Sequence, residues 1–148
     1  MIYKLTILFL IFFTLAKPST KEEIIETMEG YNQAFGLADY PEIISYFDLP
    51  ASFNLQQKTI SASNRFKLKL IYKKLRGDLP DYYSYSKWEK LDIELIDNNI
   101  AIINAVYSRY SIDNDIFFSG SAQYHLRFKD NQWKIFSLTP YKTIKSLP

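Results

Sequence analysis

Apolar positions along this chain change their period once. From Ile24 they recur at Met28, Tyr31 and Phe35, steps of 4, 3 and 4 that place one apolar stripe on a helix. Ser19 and Thr20 precede the stripe, and Thr20-x-x-Glu23 has capping-box spacing, so the helix is expected to begin there. Glu22, Glu23, Glu26 and Glu29 lie toward its start, where the helix dipole favours acids, and Gly36 ends it. Asp39-x-x-Glu42, with Pro41 in the first turn, predicts a second, short helix that carries Ile43, Ile44 and Phe47 and is closed by Pro50. Two extended pieces, Ala51 to Leu55 and Thr59-Ile60, flank the polar turn Gln56-Gln57-Lys58. A third helix is predicted from about Ser63 to Leu75. It places Leu68, Ile71, Tyr72 and Leu75 on one arc and Arg65, Lys69, Lys73 and Arg76 on another. Gly77-Asp78-Leu79-Pro80 breaks it.

Beyond Pro80 the period becomes two. Trp88 to Ile96 alternates Leu91, Ile93 and Leu95 with Lys90, Asp92 and Glu94. Asp97-Asn98-Asn99 turns into a second strand, Ile100 to Ser111, and Asp113-Asn114 turns into a third, Ile116 to Phe128. Lys129-Asp130-Asn131-Gln132 leads to a fourth, Trp133 to Leu138. The expected fold class is α+β: an antiparallel meander of about four long strands, with short N-terminal strand pieces, packed on three N-terminal helices.

The first residues read as an address. Met1 to Lys4 is a short basic start, and Leu5 to Ala16 is a twelve-residue apolar run. A spanning helix needs about 20 apolar residues, and Lys4 and Lys17-Pro18 close this run too early. Small residues at Thr14 and Ala16 suit signal-peptidase cleavage after Ala16. The expectation is a signal peptide over residues 1–16, export to the periplasm or beyond, and a single domain over residues 17–148.

Composition narrows the chemistry. At 148 residues and 47% hydrophobic the chain can bury one core, and 17% aromatic content is high, with 12 Tyr and 11 Phe. A net charge of +2 is too small for a bulk nucleic-acid binder. The absence of cysteine excludes disulfides, thiolate metal sites and a Cys nucleophile. One histidine, His125, excludes zinc sites built from several imidazoles, and no Gly-x-Ser-x-Gly supports a catalytic triad. Neither a metal nor any other cofactor is implied.

The order and spacing of three stretches resemble the nuclear-transport-factor-2-like superfamily, which includes ketosteroid isomerase and the SnoaL-like cyclases. They are GYNQAFGLADYPEIISYF (Gly30 to Phe47), NNIAIINAVYSRYSIDND (Asn98 to Asp115) and YHLRFKDNQWKIFSL (Tyr124 to Leu138). The resemblance implies a curved sheet closing as a cone around the first helix, a pocket between sheet and helices, and pairing of two copies through the outer sheet face. It places Tyr31 on the isomerases' helical oxyanion donor and Tyr124 on or beside their late-strand donor. Leu55, next to Asn54, falls where the proton-moving Asp should be. Two hydrogen-bond donors persist and the base does not, because neither Leu nor Asn exchanges a proton at neutral pH.

Each candidate has a plainer reading. Tyr31 shares a stripe with core residues, so its hydroxyl serves either the core or a ligand. Alternation places Phe118, Ala122, Tyr124, Leu126 and Phe128 on one face of the third strand and His125 with Gln123 and Arg127 on the other, away from Tyr124. Tyr107 and Arg109 share a face with Ala101, Ile103 and Ala105, which suits a pocket wall with an anion-pairing rim. Arg109 could equally pair with Asp113 or Asp115. Arg65, Lys67, Lys69, Lys73, Lys74 and Arg76 give the third helix six cations, a solvated face or a stripe that touches anionic lipid, nucleic acid or an acidic ligand. The tyrosines of Asp81 to Ser86 line a pocket mouth, form a stacking surface, or cap the cone.

The leading expectation is an exported small-molecule-binding or accessory domain, non-catalytic, with Tyr31, Asn54, Tyr107, Arg109 and Tyr124 around a hydrophobic ligand. The alternatives are a SnoaL-like or isomerase-like enzyme acting on a hydrophobic carbonyl compound, and a structural dimeric partner protein. No nucleic-acid partner is favoured, and membrane contact is expected only through the leader or the basic helix face.

Overall fold

The computed structural model describes residues 19–142, so the apolar leader and its cleavage point lie outside the described residues. Helix α1 (Thr20–Gly36) starts one residue earlier than its spacing suggested, with Ser19 as the cap. The Ser19 hydroxyl accepts from the Glu22 backbone N–H at 3.3 Å, and the Glu22 carboxylate accepts from the Ser19 N–H at 2.6 Å. Ile24, Met28, Tyr31 and Phe35 are all buried, as the stripe requires.

Helix α2 (Tyr40–Ser45), capped by Asp39, is shorter than expected. Phe47 belongs instead to strand β1 (Phe47–Asn54), and Pro50 lies inside that strand rather than closing the helix. The cause is tertiary: the Tyr46 carbonyl accepts the Ile135 N–H at 2.8 Å, which draws the chain into the sheet at once. After β2 (Thr59–Ala62), Asn64 caps helix α3 (Arg65–Gly77) by accepting from the Lys67 N–H at 2.9 Å. That helix begins two residues after Ser63 and runs through Gly77.

The meander follows as β3 (Tyr83–Asp97), β4 (Ile100–Ser111), β5 (Ile116–Lys129) and β6 (Gln132–Tyr141). Strand β3 starts at Tyr83 rather than Trp88, because Tyr83 and Tyr85 find partners in Ser111 and Tyr110 at the far end of β4. Asp130 and Asn131 both take positive φ, 52° and 60°, the backbone that a tight β5–β6 hairpin turn demands. The six strands form one curved, unclosed sheet in the order β2-β1-β6-β5-β4-β3. All pairs are antiparallel except β1 with β6. The helices cover the concave face, and the Trp88 indole N–H donates to the Met28 carbonyl at 3.0 Å, locking α1 against β3.

The other face of the sheet carries ordered polar contacts. Buried Asp48 on β1 accepts from Arg127 at 2.7 Å and Lys129 at 2.9 Å. Burial alone would raise the Asp48 carboxyl, but the hydrogen bonds from these two cations outweigh it and hold the group below the ordinary carboxylate range. His125 lies here, as alternation predicted, with its ring 6.0 Å from that of Phe136. Burial lowers its pKa, and its Nδ1 has no partner among the described residues.

Candidate functional site

Three tyrosines from three elements meet inside the curve of the sheet. Tyr31 of α1 is tied hydroxyl to hydroxyl with Tyr72 of α3 at 2.9 Å. The Tyr31 ring also stands edge-on to those of Tyr72 and Tyr124, with centroids 6.1 and 5.9 Å away. All three are buried. Burial is the main reason that each phenol is pushed well above its ordinary pKa, with neighbouring phenol groups adding to it at Tyr31 and Tyr124. At neutral pH these groups therefore stay protonated and act as hydrogen-bond donors, not bases.

They form the floor of a cavity of about 160 Å³. Trp88 and Tyr107, paired across β3 and β4, wall it, with ring centroids 6.1 Å apart and planes at 89°. Leu75, Arg109 and Pro140 are more exposed and lie toward its mouth. Among the described residues, its lining includes no carboxylate and no imidazole.

The Arg109 guanidinium lies 5.4 Å from the centroid of the Tyr107 ring and 5.0 Å from that of Phe118. Pairing with Asp113 or Asp115 does not occur: among the described residues Arg109 makes no salt bridge, and its buried Nε has no hydrogen-bond partner. Its charge reaches the floor, where it opposes the upward shift of the Tyr124 phenol. Gly120 makes room for this arrangement. A Cβ there would lie 2.8 Å from Phe118 Cε1 and 2.8 Å from Tyr107 Oη.

Tyr31, Tyr107, Arg109 and Tyr124 are thus brought together around one cavity, and Asn54 is not. The Asn54 amide is engaged elsewhere, donating to Ser137 Oγ at 2.9 Å and Thr139 Oγ1 at 3.1 Å. Leu55 is 42% exposed in the turn after β1. Phe118, expected on the apolar face, does stand on the Arg109 side but is 44% exposed at the rim. The tyrosines after Asp81 scatter: Tyr83 is buried against Phe35, Tyr82 packs edge-on to Phe117, and Tyr85 stacks flat on Tyr110. None of them lines the cavity.

Sequence reasoning left out Tyr72, which reads as one more apolar position of α3, and Trp88, which reads as the start of a strand. The available signal for Trp88 was register, since it sits directly opposite Tyr107. On α3, Lys74 pairs with Asp78 at 3.0 Å, while Arg76 packs over the Tyr83 ring and donates to the Gly36 carbonyl. A second hollow of about 470 Å³, lined by Glu23, Glu26, Glu42, Tyr46, Phe128 and Trp133 among others, holds none of the expected site residues.

A family model of NTF2-like proteins (DUF6841) matches residues 21–143. The chain belongs to this family. Solved NTF2-like and cystatin-like structures share its fold. One, a protein of unknown function from Nostoc punctiforme, has a TM-score of 0.70 and 12% identity, over 86% of this chain and 93% of that one. An NTF2-like protein of unknown function from Shewanella oneidensis has a TM-score of 0.65 and 14% identity, over 82% and 98% of the two chains. A third, from Parabacteroides distasonis, is described as a candidate ketosteroid isomerase. It has a TM-score of 0.64 and 17% identity, over 88% and 92% of the two chains. At such identities the likeness establishes the NTF2-like fold alone. Among curated proteins none matches the sequence.

Proposed function

We propose that this NTF2-like protein is an exported binding domain that holds a hydrophobic small molecule in the tyrosine-floored cavity without turning it over. One observation carries the reading. The cavity combines an aromatic wall with converging phenol donors, and among the described residues no carboxylate or imidazole belongs to its lining. Donors fixed in a low-dielectric site suit a carbonyl or phenol oxygen. Proton transfer further needs an acceptor within about 2.6–3.2 Å of the proton it takes, or one water away. Phenols held above their ordinary pKa do not fill that role at neutral pH.

Acetophenone and 4-methylphenol are suitable probes. Their binding should quench Trp88 in a Trp133→Phe background, and Tyr124→Phe should weaken it by up to about tenfold, the worth of one hydrogen bond. Acetophenone bound to the protein should exchange its methyl protons with deuterated water no faster than in buffer. Exchange well above the buffer rate would overturn the non-catalytic reading. Export is part of the same proposal, and expression with the native leader in a Gram-negative host should yield a periplasmic protein that begins near Lys17.

A further inference from the structure

Among the described residues, Arg109 is the only formally charged side chain lining the cavity. A guanidinium remains protonated at any physiological pH. Here it rests against the Tyr107 and Phe118 rings, 5.4 and 5.0 Å from its carbon. Those rings are themselves 6.0 Å apart, so both lie to one side of it, leaving its N–H groups as the groups still to be satisfied. Among the described residues no carboxylate pairs with it, and its Nε is buried without a partner. Asp113 and Asp115 lie close in sequence, yet neither forms a salt bridge with it. A cation resting against two adjacent rings at the mouth of an apolar cavity, with donors in hand, is matched by a planar anion that meets its edge. A carboxylate fits that fork with two parallel hydrogen bonds.

Cavity size limits the rest of the ligand. A cavity of roughly 150 Å³ accommodates one benzene ring, whereas drug-sized ligands occupy pockets of roughly 300–1,000 Å³. At about 160 Å³ the space between Trp88, Tyr107 and the tyrosine floor suits one ring. Polycyclic ligands of steroid size are too large for it.

We infer that the cavity selects a single-ring organic carboxylate, with the acid group on the Arg109 guanidinium and the ring against Trp88 and Tyr107. This rests on the binding reading above and names the ligand class for the same site. The ring enters first and reaches the phenols of the floor, and the carboxylate stays at the more exposed mouth, where its desolvation is incomplete. Ligands bearing a ring hydroxyl or carbonyl opposite the acid also reach the Tyr31 and Tyr124 hydroxyls.

The test compares benzoate, benzyl alcohol and anthracene-9-carboxylate at neutral pH, read by titration calorimetry and by Trp88 fluorescence in Trp133→Phe protein. Benzoate should bind at least about tenfold more tightly than benzyl alcohol, and the tricyclic acid should fail to bind. In Arg109→Gln the preference for benzoate over benzyl alcohol should vanish, and a urea midpoint close to that of the unmodified protein shows that the variant is folded. Equal binding of benzoate and benzyl alcohol to the unmodified protein would overturn the charge selection and leave the binding reading standing. Tight binding of the tricyclic acid would overturn the size limit. Failure of all these compounds, and of acetophenone and 4-methylphenol, would remove the binding reading itself. Arg109→Lys gives a further check, because a point charge without the planar fork should recover only part of the preference.

Discussion

The Tyr31 and Tyr72 hydroxyls, 41 residues apart in sequence, meet at 2.9 Å and join α1 to α3 beneath the cavity. Both groups are buried, so each is the other's means of satisfying a polar atom that has left water. The contact makes α3 more than a cover, because it anchors the helix that supplies Leu75 to the mouth of the cavity.

Replacing either tyrosine by Phe should therefore destabilise the fold by about 0.5–1.5 kcal/mol. The double replacement should cost less than the sum of the two, since it leaves no orphaned hydroxyl in the pair. Urea denaturation of the four proteins checks this, and strictly additive losses would show that the two hydroxyls are energetically independent.

Asp48 should give the protein a marked acid sensitivity. Its folded carboxyl pKa is lowered by Arg127 and Lys129, so its contribution is fully present above the ordinary carboxylate value of about 3.9 and is lost as pH falls through the lowered folded value. At neutral pH Asp48→Asn should cost about 1–3 kcal/mol, with the partly exposed cations placing it toward the lower end. Below about pH 4 the gap between the two proteins should narrow. Denaturation midpoints that keep a constant difference from neutral pH down to pH 2 would reject this role.

Gly120 sets the position of the rings that hold Arg109. Ala at this site would press on Tyr107 and Phe118 through the ends of their side chains, so the rings should move rather than the strand. The expected stability loss is modest, about 1 kcal/mol. Benzoate affinity should fall by more than benzyl alcohol affinity, because the guanidinium loses its alignment. Calorimetry on Gly120→Ala decides it, and unchanged affinity for both would show that the ring positions are immaterial.

The outer sheet face, with Ile102, Val106, Gln123 and Phe136 half-buried in the single chain, is proposed to pair with a second copy. Light scattering of the domain should give a dimer mass at micromolar concentration, and Phe136→Glu should shift it to monomer. A monomer mass for the unmodified protein across that range would exclude pairing through this face.

Local chemistry alone settled much of this molecule. Steps of 3 and 4 between Ile24 and Phe35, the period of two after Pro80, and the polar turns between the strands determined three helices followed by a meander. They did so because helix and strand periods act on neighbouring residues. The same alternation separated His125 from Tyr124 and put Tyr107 with Arg109. What the tertiary structure decided was everything that depends on distant partners. The Ile135 N–H bond to the Tyr46 carbonyl ended α2 and turned Phe47 into a strand residue, and no local pattern contains Ile135. Asn54 was spent on Ser137 and Thr139, across the parallel β1–β6 pairing that no adjacent turn announces. Tyr72 looked like any apolar position of an amphipathic helix until its hydroxyl was found on Tyr31. Arg109 had acids beside it in sequence, yet its strand carried it to the cavity mouth beside two rings. A hydrogen bond or a cavity wall is a property of several chain segments at once, and only the packed fold sets their distances.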